Sequence, residues 1–198
     1  MKQTSMIAIA AILLSANDAT ADVDCSSIDG AAERLACYDI QSGRDPAHQM
    51  EFGNWSALET STPNGRATVA SVASSGPVQC GSVQGPALLT VDCSGDFPQV
   101  AVTVPCRAAH PGAEVDAEFQ FDDFKFALTM STAADGANIG TWSNDIQAVR
   151  AILGNDAVRV SLFGASVPLS GAAFDLTGGT ELMEHLVGEG CVWLPKPG

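Results

Sequence analysis

Hydrophobic and polar residues alternate along most of the chain from Phe52 onward. A period of two places one face of a β-strand against a core and the other face in solvent. The clearest rows run over Leu89–Cys93, Val100–Cys106, Val115–Phe121 and Phe124–Met130. Strands with one wet face are typical of antiparallel sheets, so the pattern predicts a domain built mainly from such strands.

Two later segments have helical spacing instead. One places Ile146, Val149 and Ile152 on one face and ends at Gly154; the other begins at Thr180. Combined with roughly eight short strands, these segments predict a mainly β fold. We expect an antiparallel β-sandwich-like domain with two packed helices over residues 52–198.

A small N-terminal module precedes this domain. The residues from Ala31 to Tyr38 are good helix formers, and Cys25 and Cys37 bracket them. A Cys25–Cys37 disulfide would stabilise so short a helix by about 2–3 kcal/mol, because it restricts the unfolded chain. We therefore predict a disulfide-stapled helical module at residues 22–41 and a linker at 42–51.

The first 21 residues have the features of a secretory signal peptide. Lys2 supplies a positive charge, Met6–Leu14 is apolar, and Ala19-Thr20-Ala21 provides small residues for cleavage. An apolar run this short does not reach the roughly 20 residues that a membrane-spanning helix needs. The sequence predicts export to the bacterial periplasm and no membrane span.

Cysteine content and charge narrow the function classes. The chain has six cysteines, and no two of them have the close spacing of a zinc site, so we expect three disulfides and no metal. The net charge of −14 repels the phosphates of nucleic acid and excludes it as a partner.

Several short motifs occur in an order that resembles a known family. The opening Glu33-Arg34-Leu35-Ala36-Cys37-Tyr38-Asp39 follows Cys25, and Asn54-Trp55-Ser56 begins the sheet. The later motifs are Leu89-Thr90-Val91-Asp92-Cys93, Phe119-Gln120-Phe121-Asp122-Asp123, Ala151-Ile152-Leu153-Gly154, Phe174-Asp175-Leu176-Thr177-Gly178 and Cys191-Val192-Trp193. In these motifs the chain resembles the VasI/TagO family of periplasmic proteins associated with type VI secretion.

The resemblance implies a periplasmic accessory or binding protein without an accepted catalytic site. It also implies a Cys93–Cys191 disulfide, since both cysteines occupy family positions. Cys80 and Cys106 are additional to the family pattern and would then pair with each other. A Cys93–Cys106 disulfide is the alternative for these residues.

The sequence shows no nucleophilic side chain paired with a base. Gly164-Ala165-Ser166 has only part of a nucleophile-elbow motif and is interpreted as a surface turn. His48, His110 and His185 are interpreted as solvent-facing. We predict no catalytic residue, no cofactor and no enzymatic activity.

Three residues are candidate partner contacts. Asp122 and Asp123 follow an aromatic-rich strand, where we predict an Asp-rich β-turn rather than an acid–base pair or a Ca²⁺ site. Trp142 precedes a predicted helix and is either a contact or a side chain packed on the sheet. Trp55 is expected in the core.

The sequence leaves three hypotheses about function. The first is a non-enzymatic accessory of type VI secretion that binds a protein of the envelope or the cell wall. The second is a stand-alone ligand-binding or inhibitor domain with the same fold. The third is a cell-wall hydrolase.

Overall fold

The computed structural model describes residues 24–30, 34, 37–38, 41–42, 47–62, 65–93, 98–141, 146–189 and 191. These residues form strands that are all paired antiparallel. The strands are β1 His48–Phe52, β2 Trp55–Thr62, β3 Gly65–Ala73, β4 Val78–Cys80, β5 Val83–Gly85, β6 Leu88–Asp92, β7 Gln99–Thr103, β8 Glu114–Gln120, β9 Lys125–Thr132, β10 Asn138–Gly140, β11 Ala157–Phe163 and β12 Leu169–Asp175.

Ten of the strands form one sheet in the order β1-β2-β3-β6-β7-β10-β9-β8-β11-β12, and β4 pairs with β5 separately. The sheet rolls round on itself, because Ser74 at the end of β3 bridges Phe174 of β12. The N–H of Ser75 also donates to the carbonyl of Ala173 at 2.8 Å. The two walls of a single rolled sheet therefore enclose one apolar core.

The predicted fold class is confirmed as mainly antiparallel β with two helices. Residues that alternate in the sequence alternate in burial: in β8, Val115, Ala117 and Phe119 are buried between exposed or half-buried neighbours. Trp55 is fully buried, as expected. Strands β6, β7, β8 and β11 each contribute one face to the core, which explains why a period of two predicted them.

Two helices pack at one end of the sheet. Helix α1, Ile146–Leu153, buries Val149, Ile152 and Leu153, and helix α2 spans Gly179–Glu189. The turn before α2 passes so close to the turn after β1 that a Cβ on Gly178, where φ is +93°, would overlap the Phe52 carbonyl oxygen. Glycine is required there by both the space and the backbone conformation.

Three disulfides join Cys25 to Cys37, Cys80 to Cys106 and Cys93 to Cys191, with Cα–Cα distances of 5.6, 5.7 and 6.0 Å. These are the pairs that the sequence analysis favours, and the alternative Cys93–Cys106 is absent from the described residues. Disulfides of this kind persist in oxidising compartments outside the cytosol.

The start of the chain differs in one respect from expectation. Strand β1 begins at His48, inside the segment 42–51 predicted as a linker, so the sheet starts before the predicted boundary. Cys25–Ser27 form one 3₁₀ turn, and the N–H of Arg34 donates to the carbonyl of Gly30 at 2.9 Å with helical spacing. The predicted signal peptide at 1–21 lies outside the described residues.

Candidate binding site beside the β8–β9 turn

Asp122 and Asp123 lie in the tight turn that joins β8 to β9. The N–H of Phe121 donates to the carbonyl of Phe124 at 2.9 Å and closes this turn. Both aspartates are exposed. The structure thus confirms an Asp-rich turn and presents two carboxylates to solvent.

An aromatic stack runs from the core to this turn. Phe119 is fully buried and stacks on Phe126 at a centroid distance of 5.1 Å; Phe121 stacks on Phe124 at 4.6 Å. Phe124, at the outer end of the stack, is 44% exposed. Because the stack fixes its ring in place, Phe124 is a rigid apolar surface next to two carboxylates.

Burial decreases along β9 toward the same turn. Met130 is 1% exposed, Leu128 and Phe126 are half-buried, and Phe124 is exposed. The sequence analysis expects all four side chains in one buried row, and only Met130 fulfils that expectation. The partly uncovered row forms one wall of an open groove.

The other wall of the groove is helix α1. Its residues Ala148 and Ala151 line the space opposite Phe126 and Leu128, and their methyl groups are too small to fill it. The resulting groove has a volume of about 620 Å³. Its full lining is Phe124, Phe126, Ala127, Leu128, Gln147, Ala148, Arg150 and Ala151.

Arg150 provides a cation in the groove wall. Its Nε is buried and donates to no acceptor among the described residues. A buried donor that is left unsatisfied costs about 1–3 kcal/mol, more when it is charged. A carboxylate in the groove would pair with the guanidinium charge of Arg150.

A second, polar pocket lies on the opposite side of the β8–β9 turn. It holds about 560 Å³, and the side chains of Asp122, Asp156, Asp175 and Arg159 contribute to its lining. The hydroxyl and the backbone N–H of Thr177 donate to the Asp175 carboxylate at 2.6 and 3.0 Å, which lowers the pKa of Asp175.

A buried glutamate with two basic neighbours was missed by the sequence analysis. Glu59 on β2 is 7% exposed and lies 3.2 Å from Arg66 and 3.3 Å from the Nε2 of His185 on α2. The expectation that His185 faces solvent is therefore wrong, whereas His48 and His110 are exposed as expected. The signal was present in the inward row of β2, where Glu59 follows Trp55 and Ala57 at a spacing of two.

Ser166, Trp142 and a metal site are the remaining candidates that the sequence analysis considers. Ser166 is exposed in the loop between β11 and β12, so its surroundings are those of a surface turn. Trp142 lies outside the described residues. Within the part of the chain that the structure covers, no group of three or more His, Cys, Asp or Glu side chains is placed to hold a metal ion.

None of the helices among the described residues combines the length and the apolar character needed to cross a bilayer.

No protein-family model matches this chain, and no curated protein matches it. Among solved structures, the chain is similar to invasion-associated protein B from Bartonella henselae. The two are 14% identical, the match covers 71% of this chain and 95% of that one, and the TM-score is 0.49.

Proposed function

We propose that this chain is a non-enzymatic binding protein of the bacterial periplasm that holds a protein partner in the groove between β9 and α1. The observation that carries the proposal is the 44% exposure of Phe124 at the end of a stack anchored in the core. Fixed aromatic side chains beside apolar grooves are typical of protein interfaces.

Two arguments support the periplasm as the compartment. The three disulfides require an oxidising environment, which the periplasm provides. The leader sequence at residues 1–21 would direct the chain there. Cleavage near Asp22 would leave all six cysteines in the mature protein.

The resemblance to the VasI/TagO family suggests the class of partner. An accessory of type VI secretion would contact an envelope component of that machine or the cell wall around it. An exposed, rigid aromatic surface suits such a protein contact better than it suits catalysis, because catalysis needs a nucleophile or an acid–base pair in defined geometry.

Site-specific photo-crosslinking in the periplasm tests the proposal. A photoreactive phenylalanine at position 124 should crosslink to one defined envelope protein, and the same residue at position 163 should not. Phe163 is the matched control because it is 51% exposed and lies outside the groove lining. Equal crosslinking from both positions, or none from position 124, would contradict the proposal.

The polar pocket supports stand-alone ligand binding as a second candidate function. Its volume of about 560 Å³ lies within the range of small-molecule sites, and Arg159 provides a cation among three carboxylates. A screen of small periplasmic solutes by thermal shift would identify such a ligand. The stabilisation should disappear in Arg159→Ala and persist in Phe124→Ala.

A further inference from the structure

Among the residues that the structure describes, strand β9 has a partner along only part of one edge. On one side, β8 pairs with it from Lys125 to Ser131. On the other side, the short strand β10 pairs only with Ser131 and Thr132. Within the described part of the chain, the edge from Lys125 to Thr129 therefore has no neighbouring strand.

Alternation of hydrogen bonds identifies the groups on this open edge. The N–H of Phe121 donates to the carbonyl of Phe124, so these two residues are a hydrogen-bonded pair. Hydrogen-bonded and non-hydrogen-bonded pairs alternate along an antiparallel ladder, so Phe119 and Phe126, two residues further on, are also a hydrogen-bonded pair. Every second residue of β9 from Phe126 consequently directs its N–H and C=O toward β8. The residues between them, Ala127 and Thr129, direct theirs toward the open edge, and Ser131 in the same phase pairs with Gly140 of β10.

The groove lies alongside this edge. Phe126 and Leu128 point to one face of the sheet and Ala127 to the other, because successive side chains of a strand alternate. The groove is lined by all three residues. It therefore extends past the edge of the strand. An extended segment placed there would meet, on one side, backbone groups of β9 that have no strand partner among the described residues and, on the other side, helix α1.

The charges around the groove restrict the sequence of that segment. Asp122 and Asp123 precede the open edge and attract a basic residue, while the guanidinium charge of Arg150 in the groove wall attracts a carboxylate. Phe126 and Leu128 favour apolar side chains at alternate positions of the segment. Five residues at about 3.4 Å each would cover the edge from Lys125 to Thr129.

We infer that the protein holds its partner by strand addition: an extended partner segment pairs with the open edge of β9. The segment carries two apolar residues at alternate positions in the groove, a basic residue near Asp122 and Asp123, and a carboxylate near Arg150. This inference rests on the proposed function and specifies how the same groove binds. Strand addition derives affinity from main-chain hydrogen bonds and specificity from alternate side chains.

Amide exchange with a defined peptide tests the inference. The probe is acetyl-Lys-Thr-Val-Thr-Val-Thr-Glu-amide, in which Lys, both Val and Glu share one face. Its addition to the full oxidised protein should slow exchange of the Ala127 and Thr129 amides at least tenfold and leave those of Phe126 and Leu128 unchanged. Unchanged exchange at Ala127 and Thr129 under saturating peptide would overturn strand addition.

A proline variant tests the same hydrogen bonds from the protein side. Ala127→Pro removes an N–H that points to the open edge, and proline is tolerated at such positions. Peptide affinity should fall at least tenfold, whereas Ala127→Ser, which keeps the N–H, should bind within about threefold of the parent chain. Unaltered affinity in a folded Ala127→Pro protein would refute the inference, and the exchange measurement needs no variant if this one fails to fold.

The two proposals fail in different ways. If the photoreactive residue at position 124 crosslinks the partner as well in the Ala127→Pro chain as in the parent chain, the groove binds a partner by side chains alone and strand addition is wrong. If crosslinking at position 124 does not differ from that at position 163, the proposed function itself is wrong.

Discussion

The indole N–H of Trp55 donates a hydrogen bond to the backbone carbonyl of Leu176 at 3.1 Å, although 121 residues separate them. Both residues are buried, with exposures of 0% and 1%. Trp55 begins β2, and Leu176 follows β12, so this bond joins the two ends of the rolled sheet. It supplements the Asn54 N–H bond to the Thr177 carbonyl at 2.9 Å in the same place.

Replacement of Trp55 by phenylalanine should destabilise the fold. The variant keeps an aromatic ring but leaves the buried Leu176 carbonyl without its donor, which costs about 1–3 kcal/mol in addition to lost packing. Urea unfolding followed by far-UV circular dichroism measures this change. The exposed Phe163→Leu change should stay within about 0.5 kcal/mol; an equally small effect for Trp55→Phe would contradict the role of the bond.

The three disulfides should differ in their contribution to stability. Chain-entropy arguments give about 2.8 kcal/mol for the 12-residue separation of Cys25 and Cys37 and about 4.7 kcal/mol for the 98-residue separation of Cys93 and Cys191. A Cys93→Ser, Cys191→Ser double variant should therefore unfold at lower urea than the Cys25→Ser, Cys37→Ser variant. The reverse order would show that native-state effects outweigh loop closure.

The regular strands could be predicted from the sequence because their burial alternates without interruption. In β8, a buried row from Val115 to Phe119 opposes acidic residues, so the period is visible locally. Strands β4, β5 and β10 have three residues each, which is too short for a period to be recognised. Strand β1 was assigned to a linker, because its pairing with β2 depends on a partner and not on its own pattern.

The candidate site was only partly predictable for a related reason. The turn at Asp122 and Asp123 has a local signature, and the structure places it as expected. The groove depends on how far helix α1 covers the Phe126 row, and the open edge depends on the length of β10. Both are distant contacts, so no spacing within β9 reveals them.

Asp175 should make the stability depend on pH in the acidic range. Hydrogen bonds from Thr177 lower the pKa of Asp175 in the folded state relative to the unfolded value of about 3.9. The folded state then gains stability above about pH 4, and this gain is lost as the pH falls through the lower folded pKa. The difference in urea midpoint between the parent chain and Asp175→Asn should be largest near pH 6 and shrink toward pH 2. Asp123→Asn controls for removal of one surface charge, and a difference that stays constant with pH would contradict the prediction.

The contact between Glu59 and His185 should couple β2 to helix α2. The Glu59 and His185 side chains are 9% and 23% exposed, and Oε2 of Glu59 lies 3.3 Å from Nε2 of His185, so solvent screens their interaction less than it screens a surface pair. A double-mutant cycle of Glu59→Gln and His185→Gln should give a coupling energy of about 0.5–3 kcal/mol. The matched control is the ion pair of Lys125 and Glu118, which is shorter at 2.9 Å but has side chains 65% and 31% exposed. Exposed pairs contribute about 0.2–1 kcal/mol. Burial and not distance should therefore determine which pair has the larger coupling energy. A larger coupling energy for the exposed pair would refute this explanation.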